Sequence, residues 1–168
     1  MPDSRYFELF GLAPQLNLDL KELEQRYFTL SRQWHPDRFA RKPEPERQEA
    51  LDRTALLNDA YRTLRNPVKR AEYFVGSKGE SPKPPPELLE EVFELNMALE
   101  ELRSGDEDAR PQLEQQHTRF IQMLADTDRE LFGSEAPAQG RETEIRSLLN
   151  RRKYIQNLVR DVETTLHA

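Results

Sequence analysis

The sequence predicts an all-α fold made of two helical units. Three observations carry this. Apolar residues recur at helical spacing in one segment after another, no segment shows sustained strand-like alternation, and one Gly/Pro-rich stretch interrupts the pattern near the middle. At 168 residues the chain is long enough for one medium domain or two small ones. Hydrophobic residues make up 36% and charged residues 33%, enough apolar material for modest helical cores on a polar surface.

Each element can be placed in order. Ser4 is positioned to cap a short helix through Phe10, which Gly11 would close. Asp19 opens a longer helix, with Glu22 three residues on at capping-box spacing. Leu23, Tyr27, Leu30 and Trp34 then share one face. Pro36 ends that helix and turns His35 out of the helical region, while Pro43 and Pro45 keep the connection irregular. A third helix runs to about Arg65, with Leu57, Ala60, Tyr61 and Leu64 on its apolar face. Asn66-Pro67 stops it and starts a short fourth helix, Asn66 as cap and Pro67 as first residue. The helices flanking Trp34–Phe39 are expected to pack antiparallel and to display that loop at one end.

The stretch GSKGESPKPPP, residues 76–86, reads as a hinge stiffening into polyproline II and as the domain boundary. The division is therefore 1–75, a linker 76–86, and 87–168. Beyond the linker lie three helical stripes: Leu88, Val92, Leu95, Leu99 and Leu102; then Leu113, His117, Phe120, Leu124 and Leu131; then Ile145, Leu148, Ile155, Val159, Val162 and Leu166. SGDEDARP and GSEAPAQG supply the turns, which predicts an up-down-up three-helix bundle.

Composition excludes several function classes. There is no run of 18 apolar residues, so no membrane span is expected, and no basic-then-apolar leader opens the chain. The absence of cysteine excludes disulfides, thiolate catalysis and thiolate metal ligation, and fits a cytoplasmic setting. With only His35, His117 and His167 available, no metal site and no cofactor are expected. Residues 1–75 hold 13 Lys/Arg against 12 Asp/Glu, whereas 76–168 hold 12 against 19. The acidic second half would repel a phosphate backbone, so nucleic acid is not the expected partner and protein is.

The motif that asks for a function is WHPDRF, residues 34–39. Catalytic use of His35 and Asp37 would need a nucleophile and oxyanion donors, and no Gly-rich nucleophile turn or cysteine is present. Beside a small His/Asp hydrolase, which these absences disfavour, stand two readings: an ordinary proline-bounded turn, or a loop whose backbone Pro36 fixes in advance for recognition. A second feature lies in the first bundle helix. Leu89, Phe93 and Met97 form a row turned about 100° from the core stripe, beside Glu90, Glu94 and Glu101. It is either a wide core face or a docking face. His117 reads as an interface histidine, and NRRKY, residues 150–154, as a solvated basic face balancing the acids of the first bundle helix.

The segments RYFELFGL, RYFTLSRQWHPDRF and LNDAYRTLRNPVKRAEY, in that order and spacing, resemble a J-domain: an antiparallel helix pair plus short helices. HPDRF, AYRTL and NPVKRAEY followed by an acidic helical bundle resemble, more narrowly, the HscB family of J-type co-chaperones of iron–sulfur cluster assembly. The resemblance spans the whole chain. It implies a non-enzymatic protein that docks on an ATP-bound Hsp70 of the HscA type, stimulates its ATPase and delivers to it a scaffold of the IscU type; the alternative is a J-domain adaptor delivering a different client to a general Hsp70. It carries His35, Pro36 and Asp37 over as the stimulating tripeptide, with Arg26, Arg32 and Arg38 as the nearby cations. It likewise carries over Leu89, Phe93, Glu94, Met97, Glu101 and Tyr154 as the scaffold-binding face. The chain departs from the general J-domain pattern at Glu24, Gln25, Phe28 and Thr29, where cations are usual. That departure suits a dedicated chaperone partner.

Overall fold

The computed structural model describes residues 2–168. Among them the chain forms α1 (Arg5–Leu9), α2 (Leu20–Gln33), α3 (Glu44–Leu64), α4 (Pro67–Val75), α5 (Leu89–Arg103), α6 (Arg110–Phe132) and α7 (Glu142–Leu166), with no strand. Short 3-10 turns occupy Pro36–Phe39, Pro86–Leu88 and Glu107–Ala109. No helix among the described residues is long and apolar enough to cross a membrane. Two compact units result. The first runs to Lys78 and takes in Ser134–Ile145; the second comprises Gly79–Gly133 and Arg146–Ala168.

In the first unit, local signals set the helix starts. The Asp19 carboxylate accepts from the backbone N–H of Lys21 and Glu22, and the Asn66 side chain accepts from Lys69 N–H. Ser4 does not cap α1: its hydroxyl donates instead to Glu8 at 2.9 Å. Pro43 stands at the N-cap position of α3 without a side-chain bond, and Pro45 lies in the first turn, where a proline lacks nothing the helix needs. Pairs along α2 and α3 show them antiparallel. The Tyr27 hydroxyl donates to Asn58 at 2.5 Å and its ring stacks on Tyr61 at 4.1 Å, while the Thr54 hydroxyl reaches the Trp34 carbonyl at 3.1 Å. α1 is bound to α4 by the Tyr6–Tyr73 stack, the Phe7–Phe74 edge contact and the Tyr73 hydroxyl donating to Asp3 at 2.6 Å. Arg5 and that hydroxyl hold the Asp3 carboxyl well below the usual range, and burial beside Asp3 pushes Tyr73 up to about 12. Phe7, Leu16, Leu23, Leu57, Leu64 and Phe74 form the fully buried interior of this unit.

Arg70 is a buried cation at its centre, 3% exposed, with its pKa lowered to about 10 by burial. Its guanidinium donates twice to the Leu16 carbonyl, at 2.7 and 3.1 Å, and once to Leu64 at 2.6 Å, at the end of α3. It thus satisfies a helix C-terminus and the α1–α2 connection together. Replacing it by Met keeps the aliphatic stem and strands two buried acceptors. We expect Arg70→Met to lower the urea-unfolding free energy by about 2–4 kcal/mol. An unchanged midpoint would show that these carbonyls find other partners.

The linker is more ordered than its composition suggests. Gly76, at φ 70°, ends α4 in the left-handed conformation, and Ser77 N–H reaches back to the Glu72 carbonyl. Glu80 and Lys83 are pinned to α7. Asn150 exchanges two hydrogen bonds with the Lys83 backbone, at 2.7 and 3.0 Å; Arg146 pairs with Glu80 at 2.8 Å; Lys153 donates to the Glu80 carbonyl at 2.6 Å. The stretch expected as a hinge over 76–86 is therefore strapped to α7 at Glu80 and Lys83. GSEAPAQG, expected as a bare turn of the second domain, instead packs with the first unit. Ala138 is fully buried and its N–H donates to the Pro14 carbonyl, and Gln15 donates to the Glu135 carbonyl at 2.7 Å.

In the second unit, α5, α6 and α7 share one core built on Leu88, Leu95, Leu99, Leu113, Phe120, Ile155 and Val162. Cross-helix pairs fix the directions. Arg152–Asp128 at 2.6 Å and His117–Glu163 at 3.0 Å run α6 and α7 antiparallel, and Glu91–Arg119 at 2.9 Å joins α5 to α6. The bundle is up-down-up. His117 sits on the flank of its stripe, paired with Glu163. NRRKY is no free basic face: Arg151 pairs with Glu87, Arg152 with Asp128, and Lys153 holds the strap.

Candidate functional site

The loop at the end of α2 is assembled from local chemistry. Trp34 closes the helix with its N–H on the Leu30 carbonyl. His35, extended before the proline at ψ 130°, becomes the cap of a 3-10 turn that Pro36 begins. The His35 Nδ1 accepts the Asp37 N–H at 3.2 Å, which requires the tautomer protonated at Nε2. Arg38 N–H returns to the His35 carbonyl at 3.0 Å. The Trp34 and Phe39 rings, which bracket the tripeptide, lie parallel with centroids 5.6 Å apart. Nothing covers the tip: the Asp37 side chain is 94% exposed and that of His35 58%.

This geometry suits recognition better than catalysis. The imidazole is engaged with the loop's own backbone, and the carboxylate points to solvent on a backbone already fixed. Among the described residues no group of three or more His, Asp or Glu side chains gathers as a metal site.

The three expected cations separate. Arg32, in the last turn of α2, and Arg38, within the loop, are exposed near the tip. Arg26 faces elsewhere: its guanidinium donates to the Phe10 and Gly11 carbonyls at 2.7 and 2.9 Å and to Glu22 at 2.6 Å. It closes the end of α1, and a Cβ at Gly11, whose φ is 65°, would stand 3.1 Å from it. Phe28, one turn before Arg32 on α2, is 51% exposed, an apolar side chain in a position where the resemblance leads one to expect a cation.

The row on α5 is exposed. Leu89 is 56%, Phe93 65% and Met97 50% accessible, while Val92, Leu95 and Leu99 on the other side are buried. The wide-core reading is thereby excluded. The three side chains climb one turn at a time over about 12 Å. Glu90, Glu94 and Glu101 stand beside them, also exposed. Tyr154 is different in kind: it is partly buried and packs against the bundle core.

Two family matches divide the chain in the same way as these features. Residues 5–73 match the DnaJ domain, and residues 84–163 match the HSCB C-terminal oligomerisation domain. A co-chaperone protein HscB homolog from Aeromonas hydrophila is 31% identical over 170 residues, covering 94% of each chain. Another from Vibrio vulnificus is 34% identical over 168 residues with the same coverage. Chaperone HscB from Vibrio cholerae superposes with a TM-score of 0.58 at 33% identity, covering 95% of both chains. Human co-chaperone protein HscB gives 0.61 over 95% of this chain and 80% of that one, and at 24% identity it speaks to the fold alone.

Proposed function

The chain belongs to the HscB co-chaperone family, and from that premise we propose that it docks on an HscA-type Hsp70 and delivers an IscU-type iron–sulfur scaffold to it. The chaperone's ATPase is stimulated in the process and the cluster moves on from the scaffold. The chain itself hydrolyses nothing.

The observation that carries the reading is the exposed row Leu89, Phe93 and Met97 on a helix whose opposite side already fills a core. A small bundle gains no stability from such a row, and a partner's apolar groove with a basic rim would bury it and pair with Glu94 and Glu101. In the other unit His35, Pro36 and Asp37 form the docking tripeptide, with Arg32 and Arg38 supplying positive charge beside it. Arg26 contributes by tying α2 to the end of α1. Phe28 replaces charge with apolar contact, which favours a dedicated chaperone over a general one.

Titration calorimetry with purified partners tests this. The scaffold should bind the chain alone, and an HscA-type chaperone with ATP should bind it more tightly than a general Hsp70 does. Absence of scaffold binding, or a preference for the general Hsp70, would contradict the proposal.

A further inference from the structure

The recognition loop is gripped from α3. The Arg53 guanidinium lies over the Trp34 ring, 4.1 Å from its centroid. Its Nε donates to Glu49 one turn earlier, at 3.2 Å, which fixes the plane of the group. The next residue, Thr54, donates to the Trp34 carbonyl at 3.1 Å. Trp34 in turn stacks on Phe39, so the two residues bracketing the tripeptide form one unit, and that unit is held by neighbouring side chains of α3.

We propose that Arg53 is a positioning residue for the His35-Pro36-Asp37 loop, acting through Trp34 to hold the tripeptide in its docking conformation. The inference rests on the docking role proposed above. Its physical basis is pre-organisation. A loop of three residues loses conformational freedom on docking unless both ends are already fixed, and here the aromatic pair fixes them. The choice of arginine follows. A planar, weakly hydrated guanidinium lies flat on an indole, whereas an ammonium is a compact and strongly hydrated charge that grips the ring less well.

Arg53 is itself half exposed, so a direct charge contact with the chaperone is the competing role. Arg53→Lys separates the two, since it keeps the charge and loses the flat stack. Trp34 is the chain's one tryptophan, so its selectively excited fluorescence reports its own surroundings, to which Arg53 belongs. The experiment uses the full chain as wild type, Arg53→Ala, Arg53→Lys and Asp37→Asn. Each is measured for acrylamide quenching of Trp34 in isolation, and for stimulation of the Hsp70 ATPase over a concentration series.

Both Arg53 variants should show a more quenchable Trp34. Both should need about two- to fivefold more protein for half-maximal stimulation, the size an exposed cation–π contact supports, with the maximum retained. An unchanged Trp34 signal in Arg53→Ala overturns the positioning role. So does an Arg53→Lys chain that matches wild type in stimulation while Arg53→Ala does not, because charge alone would then suffice. If wild type and Asp37→Asn give the same ATPase rate, the docking reading itself falls and takes this inference with it.

Discussion

Asp37→Asn is expected to return the chaperone's ATPase to its basal rate while leaving the co-chaperone folded. The substitution removes one charge and almost no volume from a side chain that is 94% exposed. The Asp37 N–H that His35 accepts belongs to the backbone and is retained. Surface changes of this kind move stability by no more than about 0.5 kcal/mol. What is lost is a carboxylate on a pre-fixed loop, where a charge-assisted contact to the partner would be formed with little entropy left to pay. Circular dichroism and thermal melting of the variant, beside a steady-state ATPase titration, check both halves. Normal stimulation by a normally folded Asp37→Asn chain would remove the loop from the mechanism.

The second large effect is expected at α5. Leu89→Ala with Phe93→Ala should weaken scaffold binding by about 30-fold or more, from about 1–3 kcal/mol for each truncated anchor. It should leave chaperone docking untouched. The control lies on the same helix: Leu95 is fully buried, and Leu95→Ala should cost about 2–5 kcal/mol of folding stability. Tyr154 calls for a gentler change, because it packs against the core and Tyr154→Ala would mix binding with folding. Tyr154→Phe keeps the packing and tests the hydroxyl alone. Calorimetric titration of the scaffold and urea melts of each variant separate these cases. A double variant that binds scaffold normally would leave the exposed row without the proposed role.

Features set by neighbouring residues were legible in the sequence. Asp19 and Asn66 cap α2 and α4 as expected because a cap depends on residues two or three positions away. The α5 stripe and its second row were both readable, since helical spacing sorts the residues into faces before any partner is known. What escaped depends on distant partners. Gly and Pro in GSKGESPKPPP suggested a hinge, yet Asn150, Arg146 and Lys153 strap it down from more than sixty residues away. The GSEAPAQG turn looked solvated, and its docking onto Pro14 and Gln15 has no local sign beyond the apolar Ala138. The resemblance marks Arg26 as a docking cation and nothing in the sequence marks Arg70, yet each serves backbone carbonyls of another segment. Arg53 left one hint: it precedes buried Leu57 by one turn and so shares the face that meets α2.

The central claim is that docking and scaffold delivery act through one chain. Cutting the protein at the linker cannot test it cleanly, since Ser134–Ile145 packs with the first unit and residues from Gly79 onward pack with the second. Intact variants can. Asp37→Asn keeps the scaffold face and lacks the docking carboxylate; Leu89→Ala/Phe93→Ala keeps the loop and lacks the anchors. A scaffold held on the docked chain meets the chaperone at an effective concentration on the order of millimolar, which separate molecules at micromolar levels do not reach. The direct measurement is a steady-state ATPase titration of an HscA-type chaperone. Its arms are wild type, scaffold alone, wild type with scaffold, and the two variants mixed with scaffold. Wild type with scaffold should exceed the sum of its separate effects, and the mixed variants should not. If the mixture matches wild type at equal concentrations, the two surfaces need not share a chain and the account is contradicted.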